Sequence, residues 1–96
     1  MRTICKELVV NIDFEELPSF DLQVSAMVLQ WSENDYEDHV SYRNKITEWS
    51  WEYPSHVYDA KSGEAVTEPG EFHDAVHRTL EMPEVEEYIF NEIYNY

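Results

Sequence analysis

Four imidazoles, one thiol and 21 carboxylates are the groups in this 96-residue chain with the chemistry for catalysis or metal binding. His73 and His77 stand four apart in a helical pattern and Glu81 continues their row, so three ligands could face a zinc-like ion. That constellation defines one functional alternative, a metal-binding enzyme using His73 and His77 with an acidic third ligand. It lacks the glutamate of a His-Glu-x-x-His hydrolase, and paired histidines on an amphipathic helix are ordinarily surface groups. Cys5 and a histidine would make a nucleophile pair, but Cys5 falls opposite the apolar row of its strand, with no oxyanion-type sequence nearby. A small buried or half-buried residue is the simpler reading. Adjacent carboxylates such as Glu15–Glu16, Glu37–Asp38 and Glu86–Glu87 diverge on any regular element and cannot flank one bond. With only Gly63 and Gly70, no phosphate-cradling loop can form. The expectation is no enzyme, no cofactor and no metal.

Charge is the remaining signal. Against 21 Asp and Glu stand 6 Lys and Arg, a formal charge of −15, which argues against nucleic acid or an anionic membrane as a direct partner. The acid grows along the chain: −3 over residues 1–32, −5 over 33–64 and −7 over 65–96. A compact chain of this length would be roughly 30 Å across, and a duplex that long carries about 18 phosphates, close to the charge here. Glu33, Asp35 and Glu37 have strand spacing, whereas Glu68, Glu71 and Asp74, or Glu84 and Glu87, have helical spacing, so rows of like-facing carboxylates are attainable. Like charges at those spacings cost stability, which a chain can carry for solubility or because a basic partner neutralises them. Tyr36, Tyr42, Tyr58, Tyr94 and Tyr96 lie beside charges or near the ends, where rings are available to stack on guanidinium groups.

The elements that must position these groups are legible in the periodicity. Ile4, Leu8, Val10 and Ile12 alternate with polar residues as a half-buried strand requires. Leu22, Val24, Ala26 and Val28 alternate through Trp31, although Leu22, Ala26 and Leu29 also suit a helix opening after Pro18 with Ser19 as cap, so residues 20–31 stay open between helix and strand. Ser32 to Asp38 reads as an exposed acidic loop or one helical turn. Trp49, Trp51 and Tyr53 form a strand with an aromatic face, interrupted at Pro54. Val57–Tyr58 and Ala65–Val66 read as the third and fourth strands, joined where Gly63 supplies a positive φ. From Glu68 the period is helical through Leu80, and Pro83 opens a second helix with Val85, Tyr88, Ile89, Glu92, Ile93 and Tyr96 on one face.

The fold class is therefore α+β: a small antiparallel sheet of three to four strands followed by two C-terminal helices packed on it, in a single domain over 1–96. Hydrophobic residues at 43% and aromatics at 15% supply the apolar surface that disordered acidic chains lack. No run of 18 apolar residues and no signal-like N-terminus is visible, and one cysteine suits a reducing compartment, so a cytoplasmic location is expected. The function expected is an acidic inhibitor that occupies the basic nucleic-acid-binding surface of another protein, a nuclease for example. Its determinants would be Glu33, Asp35, Glu37, Asp38, Glu84, Glu87 and Glu92 with Tyr88, Tyr94 and Tyr96. In character, though not through an alignable motif, the chain is similar to phage-encoded DNA-mimic proteins of the anti-restriction or anti-CRISPR type. The same traits resemble the immunity proteins that neutralise bacterial nuclease toxins, which is the alternative reading. A homodimer paired through the Trp49–Trp51–Tyr53 strand is a further possibility.

Overall fold

The computed structural model describes residues 1–36 and 39–96. Three antiparallel strands, β1 (Arg2–Ile12), β2 (Phe20–Tyr36) and β3 (His39–Glu52), pair in the order β1-β2-β3. Two helices follow, α1 (Pro69–Leu80) and α2 (Pro83–Asn95), giving the α+β fold. No helix among the described residues is long and apolar enough to cross a membrane.

The alternation of β1 buries Leu8, Val10 and Ile12 and leaves Cys5, Glu7 and Val9 on the open face. Strand β2 resolves the helix-or-strand ambiguity, because Phe20, Leu22, Val24, Ala26 and Val28 are buried at every second position, a period no helix produces. Cys5, expected to be buried or half-buried, is exposed, since it lies on the face of the sheet opposite the buried row of β1.

The acidic segment from Ser32 is a correction to the sequence reading. Ser32 to Tyr36 continue β2, with Ser32 opposite Tyr42, Glu33 opposite Ser41 and Asn34 opposite Val40. Backbone pairing does not require apolar alternation, and a ribbon solvated on both faces gives no hydrophobic period to read. Glu37 and Asp38 lie outside the described residues. The third and fourth strands expected at Val57–Tyr58 and Ala65–Val66 shrink to single bridges, Ser19 with Tyr58 and Tyr58 with Ala65. The turn between them forms as expected, with Gly63 at φ 71°.

Both helices start on a proline at the first turn, where the missing N–H costs nothing. α1 buries Val76, Thr79 and Leu80, and α2 buries Val85, Ile89 and Ile93 against the same sheet face. Glu92 and Tyr96 lie beside that stripe but are exposed, so the apolar face of α2 is narrower than its sequence pattern suggests. Lys6 Nζ donates to the carbonyl of Ile93 at 2.9 Å, sharing that last-turn acceptor of α2 with the Tyr96 N–H at 3.4 Å.

The compact sphere assumed from chain length does not hold. The molecule measures 58 × 22 × 17 Å, with a radius of gyration of 16.9 Å. β1 meets β2 no farther along than Gln30, whereas β2 and β3 continue pairing to Tyr36 and His39. A two-stranded arm therefore projects beyond the body by about 20 Å, at ~3.3 Å per residue.

Candidate functional site

The two helices form the most acidic layer of the molecule. Glu71, Asp74, Glu81, Glu84, Glu86, Glu87 and Glu92 are all exposed, and Arg78 is the sole Lys or Arg of that segment. Among the described residues none of these carboxylates pairs with a cation. Arg78 Nε instead donates to the backbone carbonyl of Asp74 at 3.4 Å. On α2, Glu84 and Glu87 face away from the buried stripe, one turn apart, so their charges add on one surface.

The tyrosines expected beside them differ in availability. Tyr96 is 71% exposed. Tyr94 accepts a hydrogen bond from the Ile46 N–H at 3.1 Å and so is committed to holding α2 against β3. Tyr88 is half-buried, its ring edge-on to Phe14 at a centroid distance of 5.4 Å. Burial and then the neighbouring Glu92 carboxylate push its phenol above the ordinary value.

Glu33 sits apart from this layer, on the arm. It accepts from Trp31 Nε1 at 3.0 Å and faces Arg43 Nε at 3.6 Å, so its charge is largely answered locally. Asp35 belongs to the same strand. The expected determinants thus divide between two places: Glu84, Glu87, Glu92, Tyr88, Tyr94 and Tyr96 on α2, and Glu33 and Asp35 on the arm.

The histidine pair is engaged by aromatic rings. His77 Nε2 hydrogen-bonds the Tyr53 hydroxyl at 2.5 Å, and the His73 ring lies 4.5 Å from the Tyr53 ring. Trp51 packs edge-on to His77 at 5.4 Å and Trp49 edge-on to Phe90 at 5.6 Å. The aromatic side chains of β3, an edge strand of the sheet, thereby face the helices. No cluster of three or more His, Cys, Asp or Glu able to hold a metal ion occurs among the described residues. At the opposite end from the arm, Asp13, Asp21, His56 and Tyr58 line an open polar cavity of about 320 Å³.

The sequence reading missed one surface, the uncharged side of the arm. Gln30, Ser32 and Asn34 on β2 share it with Val40, Tyr42 and Asn44 on β3, as strand parity and register dictate. Tyr42 is 82% exposed there. The signal was available as alternation of neutral with charged residues in VSYRNK, but it needs the pairing of β3 with β2 to be read. Comparison with known proteins finds no matching protein family, no matching curated protein and no matching solved structure.

Proposed function

We propose that this chain is an acidic protein inhibitor that occupies the cationic, nucleic-acid-binding surface of a target protein such as a nuclease. The observation that carries this reading is the helical layer, where seven exposed carboxylates, without a cationic partner among the described residues, lie on two adjacent helices and the turn between them beside a single arginine. Acids left unneutralised on folded elements destabilise the free protein, and a basic cleft would remove that cost on binding.

The elongated shape changes which backbone is copied. Spreading −15 along 58 Å gives one charge per about 4 Å. A single strand carries one per ~3.4 Å, and duplex DNA one per ~1.7 Å. Averaged over the whole molecule, that linear density is nearer to one strand than to a duplex. The helical carboxylates would take the place of its phosphates, pairing with Arg and Lys of the cleft.

Incubation with a panel of purified basic nucleases and single-strand-binding proteins tests the reading. Retention at low salt, weakening as salt rises, and displacement by single-stranded DNA more readily than by duplex are the expected results. Neutralising Glu71, Asp74, Glu84 and Glu87 together to Gln or Asn should slow association and flatten the salt dependence. Binding that ignores salt, or that survives this variant unchanged, would remove the proposal.

A further inference from the structure

We infer that the cavity at the end opposite the arm binds a guanidinium group, the side chain of an arginine presented by another protein. Asp13, Asp21, His56 and Tyr58 line this open space of about 320 Å³, with the hydroxyls of Ser19 and Ser55 as further acceptors. Its walls are held by the backbone. The Ser19 N–H donates to the Tyr58 carbonyl at 3.0 Å, and the Tyr58 N–H donates back to the Ser19 carbonyl at 2.9 Å. Phe20 and Val57, next to these two residues in the chain, are buried in the core and anchor both segments.

The ring pair follows from that anchoring. Val57 points inward, so His56 and Tyr58 on either side of it are exposed on the same outward side. An extended chain would set two such positions about 6.6 Å apart, and the rings lie 6.3 Å apart and within 15° of parallel. An occupant of so small a cavity sits inside the roughly 6 Å over which an aromatic ring attracts a cation.

Charge and shape select the occupant. No Lys or Arg lines the cavity, and the space adjoining it shares Asp13 and Tyr58 while adding Glu15, Glu16 and Asp59. Lys61, whose N–H donates to Asp59, lines neither. The ligand is therefore a cation. Among the described residues no three His, Cys, Asp or Glu converge to hold a metal ion. A guanidinium is flat, stacks on rings and carries five donors in a fixed fork, whereas an ammonium is a strongly hydrated point charge that gains less from parallel rings. Asn11 Nδ2 donates to Asp21 Oδ1 at 2.8 Å, which orients one carboxylate in advance for charge-assisted hydrogen bonds. The surrounding acids repel the α-carboxylate of free arginine, so an arginine within a polypeptide fits better than the amino acid.

Titration of the isotopically labelled protein with Nα-acetyl-arginine amide at pH 8, followed by amide and ring chemical shifts, tests this. Saturable shifts should centre on Asn11, Ser19, Asp21 and Tyr58. Nα-acetyl-lysine amide and free arginine should bind several-fold more weakly, and the citrulline analogue, which has the same shape without the charge, should not saturate. Tyr58→Leu should weaken binding by about two- to fivefold, and Asp21→Asn should act in the same direction. Glu48→Gln removes the same charge from the exposed surface of β3 and should leave the affinity unchanged. Circular dichroism of the Tyr58 variant confirms that the fold persists. None of these variants touches the helical layer, so this inference and the proposed function fail separately. Shifts spread over the helical carboxylates without saturation at the cavity, lysine binding as tightly as arginine, or a Tyr58→Leu protein that binds like the parent would each overturn the inference. Free arginine binding more tightly than the amide would overturn the assignment to a protein side chain.

Discussion

The backbone N–H of Ile46 donates to the Tyr94 hydroxyl at 3.1 Å, tying the last turn of α2 to β3 at the root of the arm. The bond sits where the β2–β3 ladder slips by one residue, between the Met27–Glu48 and Val28–Ile46 pairs. Thr47 is the extra residue, and its hydroxyl donates to the Met27 carbonyl at 3.3 Å. A bulge bends a strand and locally disrupts its ladder, so a phenol from the helix layer supplies an acceptor to a backbone group beside the slip.

Tyr94→Phe should therefore keep the ring and remove only the acceptor. Because the tyrosine is 41% exposed, water can partly replace the lost partner, and the expected cost is about 0.5–1 kcal/mol of stability. The diagnostic measurement is amide hydrogen exchange at Ile46, which should accelerate relative to Val28. Equal protection in both proteins would mean that the hydroxyl does not hold this amide.

Glu16 gives a prediction of opposite sign. It is exposed and sits at φ 70° in the turn joining β1 to β2, a left-handed conformation that crowds an ordinary side chain. Asparagine tolerates that region, so Glu16→Asn should stabilise the fold by about 0.5–1 kcal/mol. The change also removes a negative charge from a loop end shared with Asp13, Glu15 and Asp59. Glu16→Gln removes the same charge without easing the backbone, and should recover less of the gain. A Gln variant as stable as the Asn variant would assign the effect to charge alone.

Much of the fold was legible because burial leaves a period. Leu8, Val10 and Ile12, and Phe20 through Val28, alternate because one face of the sheet is covered, and Val85, Ile89 and Ile93 recur because α2 lies on that face. Pro69 and Pro83 mark both helix starts. The arm was not legible, since neither of its faces is buried and its strands are held by backbone pairing, to which every residue type except proline contributes the same groups. The division of the candidate acids followed from the same gap. Spacing placed Glu84 and Glu87 on one helical face, but only the register of β2 against β3 shows that Glu33 meets Arg43.

Asp59 predicts a step in the acid limb of stability. Its Oδ1 accepts from the Ser62 N–H at 3.0 Å and the Lys61 N–H at 2.8 Å, and these bonds, Ser62 first, lower its pKa below the ordinary aspartate value. The folded pKa is the depressed one. The contribution is therefore complete above the unfolded-state pKa and is lost as pH falls through the folded one. Asp59→Asn keeps an acceptor oxygen but no titrating charge, so its urea midpoint should fall less steeply across that acid range. Parallel acid limbs would show that the turn does not depend on the ionised carboxylate.

Tyr88 predicts the mirror image at alkaline pH. Its phenol is raised above the ordinary value first by burial and then by the charge and hydrogen bond of Glu92, one helical turn along α2. The neutral form is favoured in the folded state. Its contribution is present below the unfolded-state pKa and disappears as pH rises through the folded one. Glu92→Gln removes the charge yet can still accept a hydrogen bond, so the Tyr88 titration, followed by ring-carbon chemical shifts, should move down without reaching the value of an exposed tyrosine. Burial against Phe14 accounts for the part that remains. An unmoved titration in Glu92→Gln would show that the two groups are uncoupled and would return Glu92 to the freely solvated carboxylates of the helical layer. A downward shift would leave Glu84 and Glu87 as the outward row of α2 available to a cationic partner.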